Sequence, residues 1–274
     1  MLPQLKALLL ALSLWSSLPA AAAPISRDDP ESSDPSTRGI STARGSAVVV
    51  TANPLASTAA LTALNNGGSA IDALVTAQAV LAVVEPQSSG LAGGGFLLHW
   101  EAKQRQLAVL DGREVAPERS RPSDLLDAAG DPLPWRQATS QANAIGIPGT
   151  VALLWKAHQN HGQLPWAQSL LPAIRLASAG FLPSPRLLRS IRLAQRFGVA
   201  HSPDFQALYL PGGQPPAADQ PFHNPALART LKLLARKGGP AFYQGPLAEL
   251  QPRKFGSLAC RAFTPSRICC ARGP

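Results

Sequence analysis

Residues 70–84 leave the fold little freedom. Ile71, Leu74, Val75, Leu81 and Val84 fall mostly on helical spacing, and Ala70, Ala73, Ala77, Ala79 and Ala82 fill the turns between them. A helix apolar on every side has no face to give to water, so it must be buried, and the expected cover is a sheet. Ser69 is placed to cap its start, with Asp72 at the third helical position complementing the positive helix end. Pro86 stops it.

The flanking residues extend this unit. Ala47-Val48-Val49-Val50-Thr51 reads as a buried strand. Asn53-Pro54 reads as an N-cap and first helical position, opening a helix from Leu55 to about Asn65 that Gly67-Gly68 closes. A loop from Gln87 to Gly95 leads to a strand over Phe96–Glu101, with Leu107–Asp111 as its hairpin partner. Four further helices are expected, over Val151–Asn160, Trp166–Ala179, Ser184–Phe197 and Pro225–Lys237.

The chain of 274 residues is 45% hydrophobic and 15% charged, which excludes global disorder and allows a sizeable core. Its 22 Gly and 27 Pro show no fixed period, so a collagen-like rod is excluded. The net charge of +9 invites a nucleic-acid reading, but its location weakens that reading. Arg253, Lys254, Arg261, Arg267 and Arg272 lie in a stretch without a single Asp or Glu, and all three cysteines (Cys260, Cys269, Cys270) lie there too. Residues 251–274 thus read as a basic, disordered tail foreign to the rest. No nucleic-acid partner is expected, and three cysteines cannot complete a disulfide framework.

Lys6, the apolar run Ala7–Trp15 and the small residues Ala20–Ala23 are the three parts of a secretory signal peptide. Residues 1–23 are therefore expected to direct export, to the periplasm or outside the cell, with cleavage near Ala22 or Ala23. The run is shorter than the about 20 residues that span a bilayer, and no membrane span is expected elsewhere. Residues 24–45, rich in Ser, Pro, Asp and Arg, read as a flexible leader.

No complete catalytic constellation emerges from the residues alone. The glycines of Gly90–Gly95 follow a helix and precede a strand, the reverse of a dinucleotide site, so a close crossing of chains is the simpler reading. Arg113, where the second hairpin strand ends, could grip a carboxylate with its planar fork, or pair with Glu114 or Asp111 at the surface. Taken by themselves, the residues favour the surface pair. His158 and His161 lack the Cys or carboxylate spacing of a zinc site, and there is no G-x-S-x-G elbow.

Several motifs nevertheless occur together and in order. They are Ala52–Ser57, Gly67–Ala73, Glu85–Phe96, Arg113–Pro117, Ile147–Val151, Pro172–Ala177, Gly180-Phe181, Asn224–Leu231 and Ala241–Gly245. In this order they resemble the gamma-glutamyltransferase (glutathione hydrolase) family, over about residues 40–248. The resemblance implies an α/β (α+β) fold, part of a four-layer αββα sandwich of the N-terminal nucleophile hydrolase type. It assigns residues 46–250 to a truncated large-subunit region, the N-terminal part of that subunit only, and it implies no metal or organic cofactor. It also implies a precursor that cleaves itself in two. The new N-terminal threonine of the small subunit, activated by its own amine, attacks the γ-glutamyl amide. The acyl group then passes to water or an amino acid.

Arg113 matches the family arginine that binds the α-carboxylate of γ-glutamyl compounds such as glutathione, and Glu114 the residue that orients it. Ser69 stands where the family usually has Asn, and Ala92 where it usually has Gly. No residue here matches the catalytic threonine or its cleavage motif, so no catalytic residue is assigned, the small subunit is expected but missing, and the chain alone is expected to be inactive. A non-catalytic exported binding protein and a decayed gene product are the rival readings. An unfinished sandwich would also expose apolar sheet surface and aggregate. The acid-free tail reads as translation in a wrong frame. Sequencing the DNA downstream of codon 250 should therefore reveal family-like sequence in a neighbouring frame; its absence from every frame would refute the frameshift.

Overall fold

The computed structural model describes residues 44–117, 120–139, 141, 144–196, 202–248 and 270–272. The expected signal peptide, and all of the leader but its last two residues, lie outside the described residues. So does most of the tail.

Helix α1 (Pro54–Asn65) starts where Asn53 accepts a hydrogen bond from the Leu55 N–H, and Asn66 caps its end. Helix α2 (Ala70–Val84) starts in a full capping box. The Ser69 hydroxyl accepts from the Asp72 N–H, and the Asp72 carboxylate accepts from the Ser69 N–H. Ser69 therefore caps this helix, as its place in the sequence led one to expect.

As the all-apolar sequence required, α2 is buried along most of its surface, including Ile71, Val75, Val80 and Val84. Its cover differs from the expectation. It packs chiefly against α1 and α6 (Trp166–Ala179), with a smaller contact to α5 (Thr150–His161), rather than on a sheet. Small residues explain this: Ala60 of α1 meets Ala73 and Ala77 of α2, and side chains of that size let helix backbones approach closely. Leu74 faces outward instead of joining the core.

The expected strand at 47–51 does not form. Residues 48–51 have no strand partner among the described residues, and Val50 is 87% exposed while Val49 packs against the Ala60–Ala73–Ala77 cluster. A β-branched run becomes a strand only where a neighbour supplies backbone partners. Two strands do pair, β1 (Gly95–Glu101) and β2 (Gln106–Gly112), antiparallel with Leu97 opposite Leu110. These two leucines point into the core with Val151 and Leu153 of α5. The other face carries Phe96, Leu98, Trp100 and Leu107, all exposed. The backbone of β3 (Cys270–Arg272) lies antiparallel along the free edge of β2.

After Pro86, the expected loop begins with a four-residue helix, α3 (Pro86–Ser89). The longer helices match their sequence ranges to within a residue or so: α5, α6, α7 (Pro185–Arg196) and α9 (Pro225–Lys237). The short α4 (Trp135–Thr139) and α8 (Pro203–Tyr209) were not anticipated, because five to seven residues are too few to display a period.

Two buried carboxylates tie these helices together. The Asp72 carboxylate, fully buried, accepts from the N–H groups of Ser69, Gln163 and Leu164, fixing the α5–α6 loop to the start of α2. Burial opposes its ionisation, but hydrogen bonds from Gln163, Ser69 and Leu164 outweigh that, and its pKa lies below the ordinary aspartate value. Glu85, at the end of α2, accepts from the Asn53 amide (2.9 Å), the Ser184 hydroxyl (3.1 Å), the Gln87 amide and the Arg186 guanidinium (3.2 Å).

Because the folded-state pKa of Asp72 is depressed, its contribution is present above the unfolded aspartate pKa and is lost as pH falls through the folded value. Asp72→Ala should cost about 3 kcal/mol at pH 7, read by urea unfolding. The gap between wild type and variant should narrow as pH drops below about 4. A constant gap down to pH 2 would contradict this.

Candidate functional site

Three chain segments meet where β2 ends. The first is Gly90–Gly95, between α3 and β1. The second is Asp111–Val115. The third is Gly146–Thr150, which opens α5.

Backbone hydrogen bonds sew them together. The Gly149 and Thr150 N–H groups both donate to the Gly93 carbonyl, at 2.9 and 3.0 Å. The Ile147 N–H donates to the Val115 carbonyl at 2.8 Å, making an isolated antiparallel bridge. The crossing requires glycine. A Cβ on Gly94 would lie 2.6 Å from the Glu114 Oε2, 2.6 Å from the Gly112 carbonyl oxygen and 2.7 Å from the Glu114 nitrogen. A Cβ on Gly149 would collide with the same Gly112 carbonyl. The reading of this loop as a close passage of chains is thus borne out.

Arg113 and Glu114 stand on this platform. The Arg113 N–H donates to the Asp111 carboxylate at 2.9 Å, a local turn that sets the backbone direction where the strand ends. The Arg113 guanidinium pairs with the Glu114 carboxylate at 3.1 Å, and the arginine side chain remains 59% exposed. The surface pair and the carboxylate grip are therefore compatible. One nitrogen holds Glu114, while the fork as a whole remains accessible and permanently charged. At this exposure the ion pair itself is worth little stability.

The histidines take other places. His158 lies against the Leu164 carbonyl (2.9 Å) and Asp72, deep in the helical layer. His161 stacks at a tilt on His99 of β1, ring centroids 4.3 Å apart. Burial and the neighbouring His99 lower the pKa of His161, partly offset by Glu101. No group of three or more His, Cys, Asp or Glu side chains suited to a metal occurs among the described residues.

Sequence reasoning found Arg113, Glu114 and the glycine loop. It missed Gly149 as the second close approach and Tyr243, whose hydroxyl accepts from the Ala152 N–H and donates to the Pro148 carbonyl, both at 3.0 Å. A partner more than 90 residues away leaves no local signal.

A hairpin backed by helices, with an exposed arginine on a glycine platform at its end, defines an α+β protein. The family model for gamma-glutamyltranspeptidase matches residues 56–253, and the chain belongs to that family. The glutathione hydrolase proenzyme of Bacillus subtilis strain 168 is 35% identical over 203 residues, covering 74% of this chain and 34% of the relative. Human glutathione hydrolase 7 is 37% identical over 182 residues, covering 66% of this chain and 26% of the relative. The chain thus spans about a third or less of the length of these curated relatives. Among solved structures, gamma-glutamyltranspeptidase from Helicobacter pylori superposes with a TM-score of 0.73 at 30% identity, covering 78% of this chain and 61% of that one. The Bacillus anthracis transpeptidase CapD gives 0.64 at 31% identity, with 77% and 65% covered. The fold class read from the sequence, α+β and part of the N-terminal nucleophile hydrolase sandwich, is that of these neighbours.

The platform geometry separates two adjacent glycines. Gly94→Ala should cost about 1–3 kcal/mol in urea unfolding, since its obstacles are mostly backbone. Gly95→Ala, with nothing within 4 Å of its Cβ position, should leave the midpoint nearly unchanged. Equal effects would contradict the close-packed crossing.

Proposed function

We propose that this chain is the glutamyl-anchoring part of an enzyme that transfers γ-glutamyl groups from donors such as glutathione to water or amino acids. The observation that carries this reading is Arg113: exposed, aimed by Glu114, and held at a strand end by three interlocked segments. In this reading its fork takes the α-carboxylate of the glutamyl group. That fixes the distance from the carboxylate to the γ-carbonyl and so decides which amide reaches the nucleophile. Glu114 keeps the guanidinium from folding back onto the surface.

The nucleophile comes from a second polypeptide segment, the small subunit that the family resemblance implies. Its threonine hydroxyl attacks the γ-carbonyl carbon, its own amine takes the hydroxyl proton, and the leaving amine departs protonated. Water or an amino acid then attacks the ester and frees the threonine. The apolar outer face of the hairpin supports such a partner. Phe96, Leu98, Trp100 and Leu107 form a row exposed on one side of β1–β2, and Val48 and Val50 are exposed on the unpaired segment before α1. Residues 1–23 serve as the export signal. None of the described helices is long and apolar enough to cross a membrane.

The 274 residues by themselves are proposed to be inactive. Purified chain should release no product from a γ-glutamyl anilide and show no measurable heat on titration with glutamate, because one arginine cannot offset the cost of association. Adding a matching small-subunit polypeptide should restore turnover. In that assembly Arg113→Ala should raise KM for the donor about 30-fold or more, the scale of a lost charge-assisted fork. Turnover by the chain alone, or an unchanged KM in the variant, would refute the reading.

A further inference from the structure

Helix α5 begins without a side-chain cap of its own, since its N-cap residue is Gly149. Its first free N–H groups must still be satisfied. Gly149 and Thr150 give theirs to Gly93, and Ala152 gives its N–H to the Tyr243 hydroxyl, which itself donates to the Pro148 carbonyl. One hydroxyl more than 90 residues further along the chain therefore closes a ring around Pro148–Ala152. This ring touches the Arg113 platform: its Gly149 lies against the Gly112 carbonyl, and Ile147, next to Pro148, bridges to Val115. The ring of Tyr243 packs edge-on against its neighbour Phe242, centroids 5.2 Å apart. Burial raises the hydroxyl pKa above the usual phenol value, so it stays a donor.

We propose that Tyr243 is a positioning residue for Arg113, acting through Pro148–Ala152 on the Gly112–Val115 segment. The proposal rests on the reading of Arg113 as the glutamyl anchor only for its consequence in catalysis; the mechanical coupling stands apart from it. Without the hydroxyl, Pro148 and Ala152 lose a shared partner. The Gly93 and Val115 contacts then hold the platform alone, and the guanidinium samples a wider range.

The test uses Tyr243→Phe in the full chain, followed by amide hydrogen exchange. The expected result is about tenfold faster exchange at Ala152, Gly149, Thr150, Ile147 and Arg113, the scale of one lost hydrogen bond. Exchange at Ala60 and Val80, in α1 and α2, should be unchanged. A change confined to Ala152, or a uniform loss reaching Ala60 and Val80, overturns the coupling. Should the variant not fold, wild type carries the test. The amides of Ala152, Gly149, Thr150 and Arg113 must open together with one free energy, and independent opening overturns the proposal.

In the assembly with the small-subunit polypeptide, Tyr243→Phe should raise KM for the γ-glutamyl donor several-fold with kcat held. A fall in kcat at constant KM overturns the positioning role. The failure of the anchor reading is visible separately: Arg113→Ala would then leave KM unchanged while the exchange pattern of Tyr243→Phe persists.

Discussion

A fully buried carboxylate organises the helical part of this molecule. Glu85 closes α2, and its two oxygens collect donors from the cap of α1, from α3 and from the start of α7. A buried charge is costly unless paired and hydrogen-bonded, so all of these partners must be in place at once. That requirement fixes where α2 stops. The short α3 and the glycine loop then leave in one direction, toward the end of the hairpin. Asp72 does the same at the other end of α2, where it collects N–H groups from the α5–α6 loop. The helix that the apolar pattern demanded is thus pinned at both ends by charges that the pattern could not explain.

The site inherits its precision from this pinning. Arg113 is exposed, and an exposed arginine is ordinarily free to wander, yet its backbone is set by Asp111 and its guanidinium by Glu114. Beneath it the crossing of Gly94 over Gly112–Glu114 leaves no room for a side chain. The segments forming the platform arrive from separate parts of the chain, and only backbone hydrogen bonds and close glycine contacts register them. A site of this construction tolerates change in its surface residues better than in its glycines.

The exposed row Phe96, Leu98, Trp100 and Leu107 marks one face of the hairpin as different from the other, where Leu97 and Leu110 are buried under α5. Large apolar side chains facing water along a strand pair are the usual sign of a surface meant to be covered. The chain spans about a third or less of the length of its curated relatives. A further layer on this face is what a four-layer sandwich requires.

Much was legible from the residues in order. Asn53-Pro54 and Ser69 with Asp72 mark helix starts because capping is local chemistry within a few residues. The hairpin followed from two apolar runs on either side of Lys103–Gln106, and the motif drew attention to Arg113. What the order of residues could not decide was partnership. It made residues 48–51 look like a strand, but a strand needs a neighbour, and none pairs there among the described residues. It asked for a cover over α2 without naming α1 and α6. It offered two roles for Arg113; the fold shows the pair with Glu114 and leaves the guanidinium exposed beside it. Local hydrogen bonds and periodicity are written along the chain. The approach of Gly149 to Gly112, and of Tyr243 to Ala152, depends on contacts between distant residues, which only the folded arrangement brings within reach.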